Sequence, residues 1–312
     1  MRIEVLTSGI WQTSSTIMSA GRGCVVVDPA YFPRELDAIA ARAAELGGAA
    51  AVVFTHGHWD HVMGHAALPG APGWVQRGLA DAVAAGDARA AAYLDDAREF
   101  DSKWYVPRPG GHRWPAELRG VDEGEVELGG IAMRAVHLRG HSPDGLGLIV
   151  DGVLLPGDHL SPCEIPFVDD ARAYRATLDL LLALLADVRE VIPGHGPRLT
   201  AAEAIVIAHA DRGYLDRLLD AAARGDRDGA LAIPLPRAAD VVGMADQHRA
   251  SCAKLGLASP RRPLRRARPP AEHLARPGAA DGRDRRTTAL VVCAGLTRGG
   301  GTGEARACDV CT

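Results

Sequence analysis

Apolar positions along the chain fall into two rounds of short strands and longer helical stripes, one before about residue 120 and one after it. The first round opens with three predicted strands, at 2–6, 10–19 and 23–27. A helix follows, because Leu36, Ile39, Ala40, Ala43 and Leu46 recur on one face, Pro33 suits a first turn and Gly47 a stop. Residues 50–54 form a buried strand that ends at Thr55. Helical patches at 76–85 and 88–100 lead into the Pro/Gly-rich loop WYVPRPGGHRWP. In the second round, strands are expected at 125–128 and 131–138. Asp151-Gly152 then reads as a two-residue hairpin between strands 145–150 and 153–155. Tyr174, Leu178, Leu181, Leu182 and Leu185 line the next helix. A short strand at 190–192 precedes a long helix to about Ala223, started by the capping box Thr200 and Glu203.

From about Ser259 the composition changes to Arg, Pro and Gly with little periodicity, ending in GGGTGEARACDVCT. Such a segment rarely packs a core. The reading is one folded domain over 1–258 and a tail over 259–312 that is disordered or frame-shifted, with a basic binding arm as the alternative. The 312 residues are 47% apolar, enough for a sizeable core, and the formal net charge of -4 argues against a nucleic-acid partner. The N-terminus lacks a signal-peptide pattern. The longest greasy run, 178–188, contains Asp179 and Asp187 and is too short to span a bilayer. Few, scattered cysteines fit a reducing cytoplasm. The sequence leaves the oligomeric state open.

The segment Thr55-His56-Gly57-His58-Trp59-Asp60-His61 packs three imidazoles and a carboxylate into six positions. Packing gives a loop no reason to do so, whereas these side chains are metal ligands. His56 and His58 can point the same way off an extended segment, and Asp60 and His61 can address a second point on a tightening turn. His141, Asp158 and His195 each follow a glycine just past a predicted strand, so all could converge on one rim of a sheet.

HGHWDH resembles the HxHxDH signature of the metallo-β-lactamase superfamily. GHSPD, PGDHL and PGHGP resemble its later motifs in order, a likeness that covers roughly residues 2–257. The resemblance implies an α+β fold, a four-layer αββα sandwich. It also implies that His56, His58 and His141 hold one metal, that Asp60, His61 and His195 hold a second, and that Asp158 bridges them. Zinc is the first expectation, with iron or manganese as alternatives. The implied reaction is cleavage of an ester, thioester, lactone or amide of a small molecule by a metal-bridging hydroxide, with Asp60 orienting the nucleophile. VIPGHGPRLTAAEA is closest in flavour to glyoxalase II-like and lactonase-like members, although the tail does not resemble the glutathione-binding domain of glyoxalase II. His58, where flavodiiron relatives place Glu, argues against that branch. The competing readings are a mononuclear-iron persulfide dioxygenase-like oxidoreductase, a phosphodiesterase or nuclease, and a non-enzymatic binding protein.

By the same resemblance Asp28 orients a ligand histidine, with a turn Asp as the alternative. His159 is expected beside the metals without ligating them, and His137 within a strand. His65, His112, His209, His248 and His273 read as exposed or locally satisfied. Cys24 reads as core, Cys163 as a small buried residue or a site lining, and Cys308-x-x-Cys311 as too few ligands for zinc. Trp59, Trp104, Tyr105 and Trp114 could floor an acyl pocket or sit in the core.

Overall fold

The two rounds of strands become two sheets. The computed structural model describes residues 1–237 and 243–257; the expectations for 259–312, including His273 and the terminal cysteines, lie outside the described residues. In the first sheet β1 (Arg2–Thr7), β2 (Ser14–Ser19), β3 (Cys24–Val27), β4 (Ala49–Val53), β5 (Gly73–Gln76) and β6 (Leu118–Val121) lie in chain order. The second sheet orders β7 (Gly124–Leu128), β8 (Ile131–His137), β9 (Leu146–Val150), β10 (Val153–Leu155), β11 (Glu190–Val191) and β12 (Leu199–Thr200) from one edge to the other. Both sheets are mixed. β3 to β6 run parallel and β1 to β3 antiparallel, while β10–β11 is the parallel pair of an otherwise antiparallel second sheet.

The period-2 alternation of the strands sets the layers. Val25, Val27, Ala51 and Val53 point inward and meet Met133, Ala135, Leu148, Val150 and Leu155 of the second sheet. Val26 and Val52, one residue out of phase, point outward against Leu36, Ile39 and Ala43 of α1 (Pro33–Glu45) and against the helices that follow it. Those helices are α2 (Trp59–Val62), α3 (Arg77–Ala84) and α4 (Ala88–Trp104). On the far face, Val136, Leu154 and Val191 pack under α5 (Ala171–Leu184) and α6 (Ala201–Arg224), through Tyr174, Leu178, Leu181, Leu215 and Leu218. Short α7 (Arg227–Leu231) and α8 (Met244–Lys254) complete the described helices. The result is the four-layer αββα sandwich.

α6 begins as expected: Thr200 Oγ1 accepts from the Glu203 backbone and Glu203 accepts from the Thr200 backbone. Three strands depart from expectation. β2 starts at Ser14 rather than near Ile10, because Trp11 and Gln12 adopt left-handed φ of 46° and 57° in a tight turn. The turn is closed by Thr13 N–H to Ile10 O and Ser8 N–H to Thr13 O, both 2.9 Å. β5 and β6 are short strands at the end of the first sheet, with no periodicity long enough to announce them. No helix among the described residues is long and apolar enough to cross a membrane.

Candidate metal centre

All seven expected ligands lie at one edge of the sandwich, each just past a strand. His56, His58, Asp60 and His61 lie between β4 and the end of α2; His141, Asp158 and His195 follow β8, β10 and β11. Backbone bonds stitch this edge together across the two sheets. Leu146 N–H donates to Thr55 O, Ser14 N–H to Gly194 O and Gly194 N–H to Gly157 O, all at 2.7 Å. Gly194 has to be glycine here, since a Cβ on it would stand 2.1 Å from Asp158 Oδ1.

The side chains form two groups, each able to hold a metal ion: His56, His58, His141 and Asp158, and Asp60, His61 and His195. In the first, His56 Nε2, His58 Nδ1 and His141 Nε2 face one another at 2.9 to 3.2 Å. In the second, Asp60 Oδ2 is 3.4 Å from His61 Nε2 and 3.5 Å from His195 Nε2. Asp158 joins the groups. Its Oδ2 is 3.4 Å from His56, 3.1 Å from His141 and 3.3 Å from His195, and its Oδ1 is 3.2 Å from His61.

These separations fit ions. Ligand nitrogens about 2.0–2.1 Å from a tetrahedral cation stand about 3.3 Å apart. Three imidazole nitrogens aimed at one point cannot satisfy each other by hydrogen bonds, because neutral rings have one donor each. Buried His61 Nε2 and Asp158 Oδ1 likewise have no hydrogen-bond partner. A cation in each group would satisfy them all.

Charge differs between the two groups. Burial, with His56 and His141 nearby, pushes His58 well below the ordinary imidazole range, and burial also lowers His141, so both rings offer lone pairs. Burial would lower His61 and His195 too, but Asp158 and its acidic neighbours outweigh it. His61 is held well above its ordinary value and His195 is raised to about 10. Asp158 sits well below the carboxylate range despite burial, because His195, His61, His56 and His141 surround it.

A second layer orients these side chains. Asp28 Oδ2 lies 3.0 Å from His61 Nδ1 and accepts from Thr55 Oγ1 at 2.6 Å, while Asp28 Oδ1 accepts the Thr55 N–H at 2.8 Å. Thr55 Oγ1 in turn lies 3.1 Å from His56 Nδ1. Asp28 holds a left-handed φ of 49°, a strained conformation for a non-glycine residue. Trp11 O lies 3.0 Å from His195 Nδ1, turning Nε2 toward the cluster. A histidine is committed to a cation in this way when its other nitrogen is anchored.

Other residues fall as expected or nearly so. His159 is buried, with Nδ1 on Pro156 O at 3.1 Å and its ring on Tyr174, and it is not among the converging donors. His137 ends β8, Cys24 is buried in the core, and His209 is exposed. His65 lies near Val62 O, His112 pairs with Asp101 and buried His248 with Tyr214 and Ala230 O. Trp104 and Tyr105 depart from expectation: at 59% and 91% exposed they neither floor a pocket nor sit in the core, because α4 ends there and turns them outward. Trp59 stacks on Phe100, and Trp114 donates to Ala90 O. Half-buried Cys163 lies beside Ser161.

Sequence reasoning missed Glu164, whose Oε2 lies 3.9 Å from His195 Nε2, and Phe167, whose ring faces His58 and His141 at 5.7 and 5.5 Å. A single acidic residue inside Cys163-Glu164-Ile165-Pro166-Phe167, directly after the Asp158 motif, was the available signal. Burial pushes Glu164 up to about 7, with His195 opposing and Asp158 and Asp60 adding to the rise; cations in the cluster would favour its carboxylate.

Comparison with known proteins agrees with this architecture. TTHA1623, crystallised in a di-iron-bound form, is 26% identical over 64% of this chain and 96% of its own, with a TM-score of 0.50. TTHA1429, a metallo-beta-lactamase family protein from Thermus thermophilus, is 19% identical over 81% of this chain and 94% of its own (TM-score 0.56). ETHE1 from Myxococcus xanthus is 19% identical over 80% and 99% (TM-score 0.51). Curated protein sequences offer no significant match. The family model described as metallo-beta-lactamase superfamily matches residues 8–195, a span that begins at the turn before β2 and ends on His195. With its sandwich and its paired donor groups, the chain belongs to the metallo-beta-lactamase superfamily.

Proposed function

We propose that the protein is a hydrolase that uses two divalent cations, zinc foremost, to cleave an ester, thioester, lactone or amide bond of a small molecule. One observation carries this reading: a single carboxylate, Asp158, faces both donor groups, Oδ1 toward His61 and Oδ2 toward His56, His141 and His195. Two such cations supply Lewis acidity, acidifying water and polarising a carbonyl oxygen. The protein's own residues do the rest. His56, His58 and His141 would hold one ion and Asp60, His61 and His195 the other, with Asp158 facing both groups. Asp60 Oδ2, between His61 and His195, is placed to orient the attacking water and accept its proton. Asp28 and Trp11 O keep His61 and His195 in register.

The test is metal analysis of the purified protein beside a panel of thioester, lactone, ester and phosphodiester substrates. Two divalent ions per chain with oxygen-independent cleavage of a carbonyl substrate is the expected result. One iron per chain with oxygen uptake on a persulfide, or turnover of phosphodiesters alone, would overturn it.

A further inference from the structure

Three of the five histidines in the donor groups are fixed through the nitrogen that faces away from the cluster: His56 by Thr55 Oγ1, His61 by Asp28 and His195 by Trp11 O. The other two have no such anchor. His141 Nδ1 is buried without a partner. Among the described residues, the hydrogen-bond neighbours of His58 are His56 and His141 themselves. Both belong to the first group, and they come from different loops, one after β4 and one after β8. Something other than a hydrogen bond on the ring has to hold them at the spacing of a cation's ligands.

Tyr93 and Asp144 span those two loops. Tyr93, on α4, donates its hydroxyl to Asp144 Oδ1 at 3.0 Å, and both side chains are buried. Asp144 lies three residues after His141 in the same loop. The Tyr93 ring stands edge-on to the His58 ring with centroids 5.6 Å apart. Trp114 backs it at 6.5 Å and is itself tied to α4 through Ala90 O. Against the pair lies Gly57, the residue that separates His56 from His58. A Cβ there would stand 2.2 Å from Tyr93 Cε2 and 2.9 Å from Asp144 Oδ2, so the pair closes on bare backbone. Asp144 Oδ2 is buried with no partner of its own. Burying a half-satisfied carboxylate costs stability, and such a group in a folded protein calls for a reason. The place of the pair against the first donor group supplies one.

We propose that Tyr93 and Asp144 are positioning residues of the first metal site. Their hydrogen bond, closed over Gly57, sets His58 against His141 in place of the ring anchors that these two histidines lack. This rests on the two-cation part of the reading above and on no choice of substrate.

The test is titration of the full-length apoprotein with cobalt(II), followed by visible absorption and fitted to two binding constants. His58→Ala identifies the constant that belongs to the first group. Tyr93→Phe keeps the ring beside His58 and removes only the hydroxyl. It is expected to weaken that constant about tenfold, the lower end of what an outer partner of a ligand contributes. The absorption of the ion bound there should change, and the other constant should stay as it was. Asp144→Asn keeps an oxygen acceptor for Tyr93 and should keep both constants near wild type. Tyr31→Phe removes the same kind of bond, Tyr31 Oη to Asp101 at 2.7 Å, away from the donor groups. It should lower the melting temperature and leave both constants alone. An equal fall in both constants in Tyr93→Phe, or no fall, would overturn the proposal, because a bond that serves only the fold acts that way. So would a loss in Asp144→Asn as large as that in Tyr93→Phe, which would put the effect on charge. If the wild type takes up a single ion, the two-cation reading fails and the pair is judged on that ion: weaker binding in Tyr93→Phe supports it, and equal binding sinks it.

Discussion

Two buried clusters of carboxylate and imidazole among the described residues are built on opposite principles. In the first, Asp101 of α4 accepts from Tyr31 Oη at 2.7 Å and from Arg108 at 2.9 and 3.0 Å, with His112 Nε2 at 2.8 Å. Arg108 also donates to Tyr31 O and lies over the Tyr31 ring. Every donor there has an acceptor, and no side-chain atom of Asp101 or Arg108 is left buried without a partner. In the second, around Asp158, ring nitrogens converge on one another and buried atoms lack partners. Buried polar groups in folded proteins are nearly always satisfied. A cluster that closes on itself therefore holds structure, and one whose lone pairs meet at a point holds something else.

The largest expected effect tests that distinction at the bridge. Asp158→Ala removes the one donor that faces both groups, leaving two cations to repel each other in a partly dry site. The variant should lose about one metal per chain and most of its turnover while its melting temperature changes little, read by elemental analysis, steady-state kinetics and thermal melts. Full metal occupancy with near-normal turnover would end the bridging assignment.

The matching change in the closed cluster should give the reverse pattern. Asp101→Ala strands Arg108, whose side chain is 5% exposed, without its partner. Breaking a buried pair on one side costs roughly 3–5 kcal/mol. Denaturant melts should show a loss of that order, with metal content of the folded fraction untouched. Metal loss without destabilisation would erase the contrast between the clusters.

Much of this site was legible in the sequence, because metal ligation needs particular residue types close together and the chain supplies them in short motifs. His56, His58, Asp60 and His61 share one loop, so their convergence follows from local geometry. The later positions could be placed because each follows a glycine just past a short apolar run, at 131–138, 153–155 and 190–192. The Asp101 cluster was not legible. Tyr31, Asp101, Arg108 and His112 come from three separate segments, and nothing in their spacing says that they meet. Nor were β5 and β6, four residues each, whose strand character comes from pairing with β4 and with each other. Glu164 and Phe167 were hidden for a related reason. A loop's residue types are visible in sequence, but the direction in which its side chains point is fixed by tertiary contacts.

Asp28 lies between the two principles, since it is satisfied yet serves the metal cluster. Its two oxygens hold Thr55 and His61, and through Thr55 it reaches His56. Outer partners of this kind typically contribute about 10–100-fold in metal affinity. Asp28→Asn keeps the shape and should weaken binding by that order in a chelator competition, with a smaller loss for the His56 group than for the His61 group. Unchanged affinity would mean that the contacts to Thr55 and His61 serve folding alone.

The smallest effect is expected one residue beyond the bridge. His159 is adjacent to Asp158 in sequence and faces the His141 ring at 6.2 Å, so proximity alone would make it a ligand. Its ring says otherwise. Nδ1 is 3.1 Å from Pro156 O, the ring plane stands edge-on to Tyr174 at 4.6 Å, and burial, with His141 nearby, lowers its pKa to about 3, so it stays neutral. Its Nε2 is buried without a partner, yet it converges on no other donor. His159→Ala should keep both metals and lose only packing, about 1–3 kcal/mol, with at most a change in substrate preference. Measured beside Asp158→Ala, it separates being near the cluster from belonging to it. Metal loss in His159→Ala would show that the boundary between the two has been drawn one residue too early.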